Sequence, residues 1–216
     1  MTQAKFLKSG IAAAAMVLFA ASSQAGPVLT QQRTSLNLAI NDFSSVSNTI
    51  NFSESAWISS LTVSVGVDHT WIGDLVYSLE HAGKTVTLMN RNGGGSNLSS
   101  AFALVFSDAA AKGISSVGAG CGSDLIGSTS NCLNTSFKPS DALTAFKHKK
   151  NSADLFGNIN GAWTLTVADN AGADKGKLVS WSINANVVPE PSSLALLPLA
   201  LGGAFFASRR RKAAAK

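Results

Sequence analysis

Charge, cysteine, histidine and tyrosine are all scarce in this 216-residue chain: 13% of residues are charged, with two Cys, three His and one Tyr. Each scarcity excludes something. Two cysteines cannot build a four-thiolate zinc site or a multi-bridge scaffold. Three histidines offer little to hydrolytic chemistry, and neither an H-E-x-x-H helix nor a G-x-S-x-G elbow occurs. Gly93-Gly94-Gly95-Ser96 lacks the lysine of a phosphate loop, and Gly118, Gly120 and Gly122 do not form a dinucleotide fingerprint. Both clusters read as turn glycines. The two apolar stretches, 11–21 and 194–207, are short of the roughly 20 residues that a spanning helix needs.

The net charge of +5 suggests a basic protein, but its distribution says otherwise. Seven of the 17 Lys and Arg lie in residues 1–25 and 192–216, leaving 10 against 12 acids over residues 26–191, a net of −2. A nucleic-acid partner therefore has no electrostatic support. The run Lys147-His148-Lys149-Lys150 reads as a solvated loop.

Those two ends carry addresses. Lys5 and Lys8 precede the apolar stretch Ile11 to Ala21, and Ser23-Gln24-Ala25 supplies small residues for cleavage after Ala25. This is the layout of a signal peptide over 1–25, read by signal peptidase. At the other end Val188-Pro189-Glu190-Pro191 leads to the apolar stretch Leu194 to Ala207 and then to Arg209-Arg210-Arg211-Lys212. With the flanking serines this is a short membrane segment whose basic end stays cytoplasmic. An exported chain meets an oxidising compartment, where Cys121 and Cys132 are expected to pair. Such a bridge contributes on the order of 3 kcal/mol by loop-closure entropy.

Between the ends the chain reads as strands. Leu61, Val63, Val65 and Val67 alternate with small polar residues, as do Leu75, Tyr77 and Leu79, then Trp163, Leu165 and Val167, then Val179, Trp181 and Ile183. Period-two patterning places each set on one sheet face. Glycine- and asparagine-rich turns separate the runs. Only Asp108 to Lys112 and Asp141 to Lys147 look briefly helical. Many half-apolar strands must pair two sheets over one core, so an all-β antiparallel β-sandwich is expected. Trp163 and Trp181 belong to the alternating series and are expected in the core. Trp57 and Trp71 are left as candidates for a sugar-binding face.

Several motifs in this stretch resemble the P domain (Homo B domain) of proprotein convertases. They are His69-Thr70-Trp71-Ile72-Gly73-Asp74-Leu75, Gly83 to Leu88 with Asn90 to Gly94, Phe106 to Ala110, Pro139 to Phe146, and Gly161 to Asp169 with Gly176 to Ile183. The resemblance covers roughly residues 36–186 and implies a jelly-roll-like β-sandwich. It departs where Ala109 follows Asp108 and where a long insertion from Lys112 to Thr135 carries both cysteines. The family's domain normally follows a subtilisin-like protease domain. The C-terminal tail is similar to the PEP-CTERM sorting signal, with Pro189, Glu190 and Pro191 as its motif. That likeness implies exosortase processing in a Gram-negative, exopolysaccharide-producing cell, with passage from the inner membrane to the surface or matrix.

The expected organisation is signal peptide 1–25, linker 26–35, sandwich 36–187 and sorting signal 188–216. Asp74, Asp108, Asp169 and Asp174 fall at or near strand ends and are candidate calcium ligands, with turn-forming and capping roles as the alternative. No catalytic residue is assigned. The expected function is a non-catalytic exported surface or matrix protein that acts through binding or structure. The alternatives are an accessory module for a separately encoded subtilisin-like protease and a calcium-dependent carbohydrate binder.

Overall fold

The computed structural model describes residues 26–100, 103–117, 135–146 and 157–189. Ala25, Cys121, Cys132, Glu190, Pro191 and the apolar stretch 194–207 lie outside them, so the expected cleavage site, the expected disulfide and most of the expected sorting motif do too. Among the described residues no helix is long and apolar enough to cross a membrane.

The described chain forms two sheets. One has the order β1 (Val28–Arg33), β11 (Gly176–Pro189), β4 (Ala56–His69), β7 (Leu104–Ser107), β9 (Ser136–Lys138) and β8 (Lys112–Gly113), with β2 (Leu38–Ile40) also paired to β11. The other has the order β3 (Ser45–Phe52), β10 (Gly161–Asp169), β5 (Leu75–His81) and β6 (Lys84–Asn90). This is the expected all-β sandwich, antiparallel except where β9 runs parallel to β7 and β8.

Period-two alternation decides the faces. Leu61, Val63, Val65 and Val67 of β4 and Leu178, Trp181 and Ile183 of β11 are buried. They face Ile50 of β3, Leu75, Tyr77 and Leu79 of β5, and Trp163, Leu165 and Val167 of β10 in one hydrophobic cluster. Two contacts tie the sheets together. Trp181 Nε1 donates to Asn48 Oδ1 at 2.8 Å, joining β11 to β3. Tyr77 on β5 meets Phe106 on β7 edge to face, with centroids 6.3 Å apart. Trp163 and Trp181 are core residues, as the alternation implied.

The chain departs from the sequence reading in four places. In β11 a bulge between Leu178 and Ser180 puts Leu178, not the expected Val179, in the core. Residues 28–33, read as part of a linker, form β1 and pair with Trp181 to Asn186 of β11. The run V-L-T-Q-Q-R has one inward apolar residue, Leu29, so periodicity gives no signal and backbone pairing to a neighbouring strand makes the element. At the far end β11 runs on through Val188 and Pro189, opposite Trp57 and Ala56, so the sheet enters the segment assigned to sorting. Finally, no helix forms at 108–112. The Asp108 carboxylate accepts the N–H groups of Leu143 and Thr144 at 2.9 and 2.8 Å, capping the short 3-10 turn Leu143–Phe146.

The outer edge of β6 is covered by the segment that leads into this turn. Asp141 accepts the Thr87 N–H at 2.9 Å, which holds its carboxyl below the ordinary carboxylate range. The backbone N–H groups of Ser140 and Asp141 return bonds to Leu88 and Thr87. An edge closed in this way is a poor template for another chain.

Candidate functional site at the β4–β5 and β10–β11 turns

The H-T-W-I-G-D-L motif turns the chain from one sheet to the other. β4 ends at His69, opposite Gly176 at the start of β11. A Cβ on Gly176 would stand 2.4 Å from His69 Cδ2 and 2.2 Å from the Asp68 carbonyl oxygen, so β11 approaches this closely only because the residue is glycine. After Trp71 comes the 3-10 turn Ile72–Asp74, anchored by the fully buried Ile72. The Ile72 and Gly73 N–H groups donate to the carbonyls of Ser96 and Gly94, both at 2.9 Å, and pin this turn to the β6–β7 loop.

The polar groups gathered here satisfy one another. His69 is buried, and its Nδ1 accepts the Trp71 N–H at 3.1 Å. That bond leaves the ring hydrogen on Nε2, which donates to Asp169 Oδ2 at 3.2 Å. Asp169 also accepts the Ala171 N–H at 2.9 Å, and the Asn170 N–H donates to the Asp74 carbonyl oxygen. The Thr70 hydroxyl donates to Asp174. Asp74 is buried with Arg91 Nη2 3.5 Å away. Burial, and then the neighbouring Asp169 and Asp174, push the Asp74 carboxyl up against the pull of Arg91 and His69. This network closes one end of the sandwich. Neither His69 nitrogen is left free to take a proton from a hydroxyl, as a hydrolase triad requires. His81 is held by both nitrogens too: Nδ1 and Nε2 each lie 2.9 Å from a backbone carbonyl, of Ala162 and Asn158. His148 lies outside the described residues.

The structure brings together three of the four aspartates named as candidate calcium ligands and sets the fourth apart. Asp74, Asp169 and Asp174 share the turn cluster. Asp108 follows Ser107, which pairs with Thr62, seven residues before His69 on β4. That separation is roughly 23 Å at about 3.3 Å per residue. Each of the three clustered carboxylates already has a polar partner, and among the described residues no group of three or more His, Cys, Asp or Glu could hold a metal ion. The capping alternative describes Asp108 directly. The pairing of Arg91 with Asp74 and of Thr70 with Asp174 spans 17 and 104 residues, and no local pattern signals it.

One residue of the motif faces outward. Trp71 is 46% exposed, while Ile72 beside it is fully buried. Its indole lies on Gly95, where a Cβ would stand 2.7 Å from the ring. A shallow groove of about 430 Å³, which Trp71 does not line, lies between Asp68, His69 and Thr70, Asn97 and Leu98, and Lys175 to Lys177. Burial pushes the Asp68 carboxyl up, but bonds from Ser100 and the charge of Lys177 outweigh that and leave it below its ordinary value. Lys177 Nζ lies 3.6 Å from Asp68 Oδ2. Trp57, the other candidate for an exposed face, is half-buried opposite Val188.

Residues 127–185 match the family described as the proprotein convertase P-domain. The fold is similar to that of the serine protease of Aeromonas sobria in complex with its chaperone, with a TM-score of 0.43 and 15% identity over 78% of this chain and 28% of that one. A crystal structure of the serine protease of Aeromonas sobria gives a TM-score of 0.41 and 18% identity over 76% of this chain and 28% of that one. This chain thus spans little more than a quarter of either protein. No curated protein matches the sequence.

Proposed function

We propose that this chain is a non-catalytic, exported β-sandwich that acts as an accessory module for a separately encoded serine protease. The observation that carries the reading is the P-domain match over residues 127–185, on a chain whose described histidines have every ring nitrogen engaged. A domain of this kind contributes surface rather than chemistry, by packing against or stabilising a catalytic partner.

The test has two parts. The purified chain is treated with a fluorophosphonate probe, which labels active serine hydrolases; no labelling is expected. The chain is then added to a subtilisin-like protease secreted by the same cells, and the thermal half-life of that protease is measured. A longer half-life supports the reading. A labelled chain, or a protease indifferent to a large excess of it, sinks the reading.

A second reading, that of a surface or matrix protein sorted by exosortase, is favoured by the three-part tail of Pro189-Glu190-Pro191, apolar stretch and basic cluster. Mass spectrometry of the C-terminus of the cell-associated protein decides it. Loss of everything beyond the motif supports sorting, and an intact Lys216 argues against it.

A further inference from the structure

We propose that a pocket on the outer face of the larger sheet, where β4, β7 and the Leu143–Phe146 turn meet, binds one uncharged sugar ring. This does not depend on the protease reading.

The pocket exists because the sheet has a gap. β7 pairs with β4 only from Thr62 to Val65 and ends at Ser107. The next partner of β4 on that side is Asn158, opposite Trp57, with the Ile58 N–H donating to the Gly157 carbonyl at 2.9 Å. Between them Ser59, Ser60 and Leu61 pair with no described residue on that side. On the β11 side the register skips Ser59, because Asn186 stands opposite Ser60 and Val187 opposite Ile58. A bulge of this kind bends its strand, and bulges recur beside functional sites. Asp108 follows β7 and holds Leu143 and Thr144 by their N–H groups at the same place. These pieces enclose about 320 Å³, near the lower end of the roughly 300–1,000 Å³ of small-ligand sites. Ser60, Thr62, Ser107 and Asn186 line it, and each alternates with core residues, so their side chains lie on the outer face.

What each polar group has left to give selects the ligand class. Asn186 Nδ2 donates to Ser60 Oγ at 2.7 Å, and the Ala109 N–H donates to Ser107 Oγ at 3.3 Å. Each serine therefore accepts one bond and keeps its own O–H to donate. Asn186 keeps its amide oxygen, and the Asp108 carboxylate, with two N–H groups bound, keeps about half of its lone-pair sites. The Thr62 and Thr144 hydroxyls have no partner among the described residues. The lining holds no Lys, Arg or His. Hydroxyl donors thus stand beside fixed acceptors, under one negative charge. An anion would meet Asp108 with no cation to offset it. A simple amine would suit Asp108 and Asn186 but leave the serine hydrogens without acceptors. An uncharged pyranose meets both demands, since each of its hydroxyls gives one hydrogen and takes another.

The test titrates the purified full chain with the methyl glycosides of glucose, galactose and mannose, read by saturation-transfer NMR, with glucuronate and propylamine as charged controls. Saturable binding of at least one glycoside is expected, with neither control displacing it at equal concentration. Thr62→Val removes a hydroxyl at nearly constant shape and is expected to weaken binding about fivefold. Ser60→Trp places an indole in the pocket and is expected to abolish binding. Both positions point away from the core, so melting temperatures are expected to stay close to that of the parent; should Ser60→Trp misfold, Thr62→Val alone decides. A free sugar and the end of a chain present the same ring. Displacement of the bound glycoside by its tetrasaccharide identifies a chain end, and no displacement identifies the free sugar. Absence of saturable binding by all three glycosides, displacement by either charged control, or a folded Thr62→Val or Ser60→Trp variant that binds as the parent does, overturns the proposal. None of these results bears on protease half-life, the readout of the protease reading.

Discussion

The molecule holds two His–Trp pairs that look alike in composition and differ in everything else. In the core, His81 stacks flat on Trp163 with centroids 3.8 Å apart and planes 3° from parallel, and Phe146 meets the same indole edge-on at 5.0 Å. Trp163 is fully buried, and its Nε1 donates to the Ile159 carbonyl. At the rim, His69 touches Trp71 through backbone, an N–H to a ring nitrogen, and the indole is left facing solvent. In the first pair the indole is a packing element and the histidine serves it. In the second the histidine is the buried element, and the tryptophan is presented on top of it. Residue type therefore says little about role. The face of the strand or turn on which each residue falls says most of it.

The comparison can be broken most forcefully at the two indoles. Trp163→Ala is expected to cost about 3–5 kcal/mol, because it empties a packed site under His81 and Phe146. Trp71→Ala is expected to stay within about 0.5 kcal/mol. Urea unfolding of both variants measures this, and equal losses would mean that Trp71 is also part of the core.

Next in size is the support of the rim histidine. Asp169→Ala strands the buried His69 Nε2–H and the Ala171 N–H without their acceptor and is expected to cost roughly 2–3 kcal/mol. Asp169→Asn retains an acceptor oxygen and should cost clearly less. If the two variants unfolded at the same urea concentration, the hydrogen bonds would not be what holds the turn.

Asp74 tests the electrostatics of the same end. Its carboxyl is pushed up by burial and by Asp169 and Asp174, so the folded state holds that proton more tightly than the unfolded chain does. The contribution linked to that proton is fully present below the ordinary carboxylate value and is lost as pH rises through the folded one. Asp74→Asn does not titrate. Its stability relative to the parent is therefore expected to improve from about pH 3 to pH 7, as read by melting temperature across that range. A relative gain that grew instead toward low pH would reverse the sign and refute the account.

The smallest effect is expected at Tyr77, whose buried hydroxyl has no hydrogen-bond partner among the described residues. Burial alone pushes that phenol far above its ordinary value. Tyr77→Phe is expected to be neutral or to stabilise by up to about 1 kcal/mol, since it removes an unsatisfied polar atom and keeps the ring against Phe106. A clear loss in calorimetry would mean that the core does use this hydroxyl, and would blur the contrast with the fully partnered rim.

Much of the fold was legible in advance. β4, β5 and β10 each bury the alternating set that marked them, because a half-buried strand writes its face into every second residue, whereas in β11 a bulge between Leu178 and Ser180 buries Leu178 in place of the expected Val179. β1 was illegible for the same reason: with Gln31 and Arg33 after Leu29 it has no apolar alternation, and it exists by pairing with β11. The cluster was half legible. The acids at strand ends were visible as residues, but Asp108 and Asp74 looked equivalent in sequence. One caps a 3-10 turn and the other closes the sandwich end, roughly 23 Å away by strand spacing.

By itself, then, the sequence determined what short-range periodicity and composition can encode: a β-sandwich, the faces of most of its main strands and two buried indoles. Only the tertiary structure decided which polar groups meet. His69 finds Asp169 across 100 residues, Thr70 finds Asp174 across 104, and Trp71 comes to rest on Gly95. Those contacts depend on register and on loops returning to one end of the sandwich, and strand periodicity carries no information about either. The physical reason is that burial repeats along the chain, whereas a hydrogen bond between distant turns exists only once both strands have been laid in place.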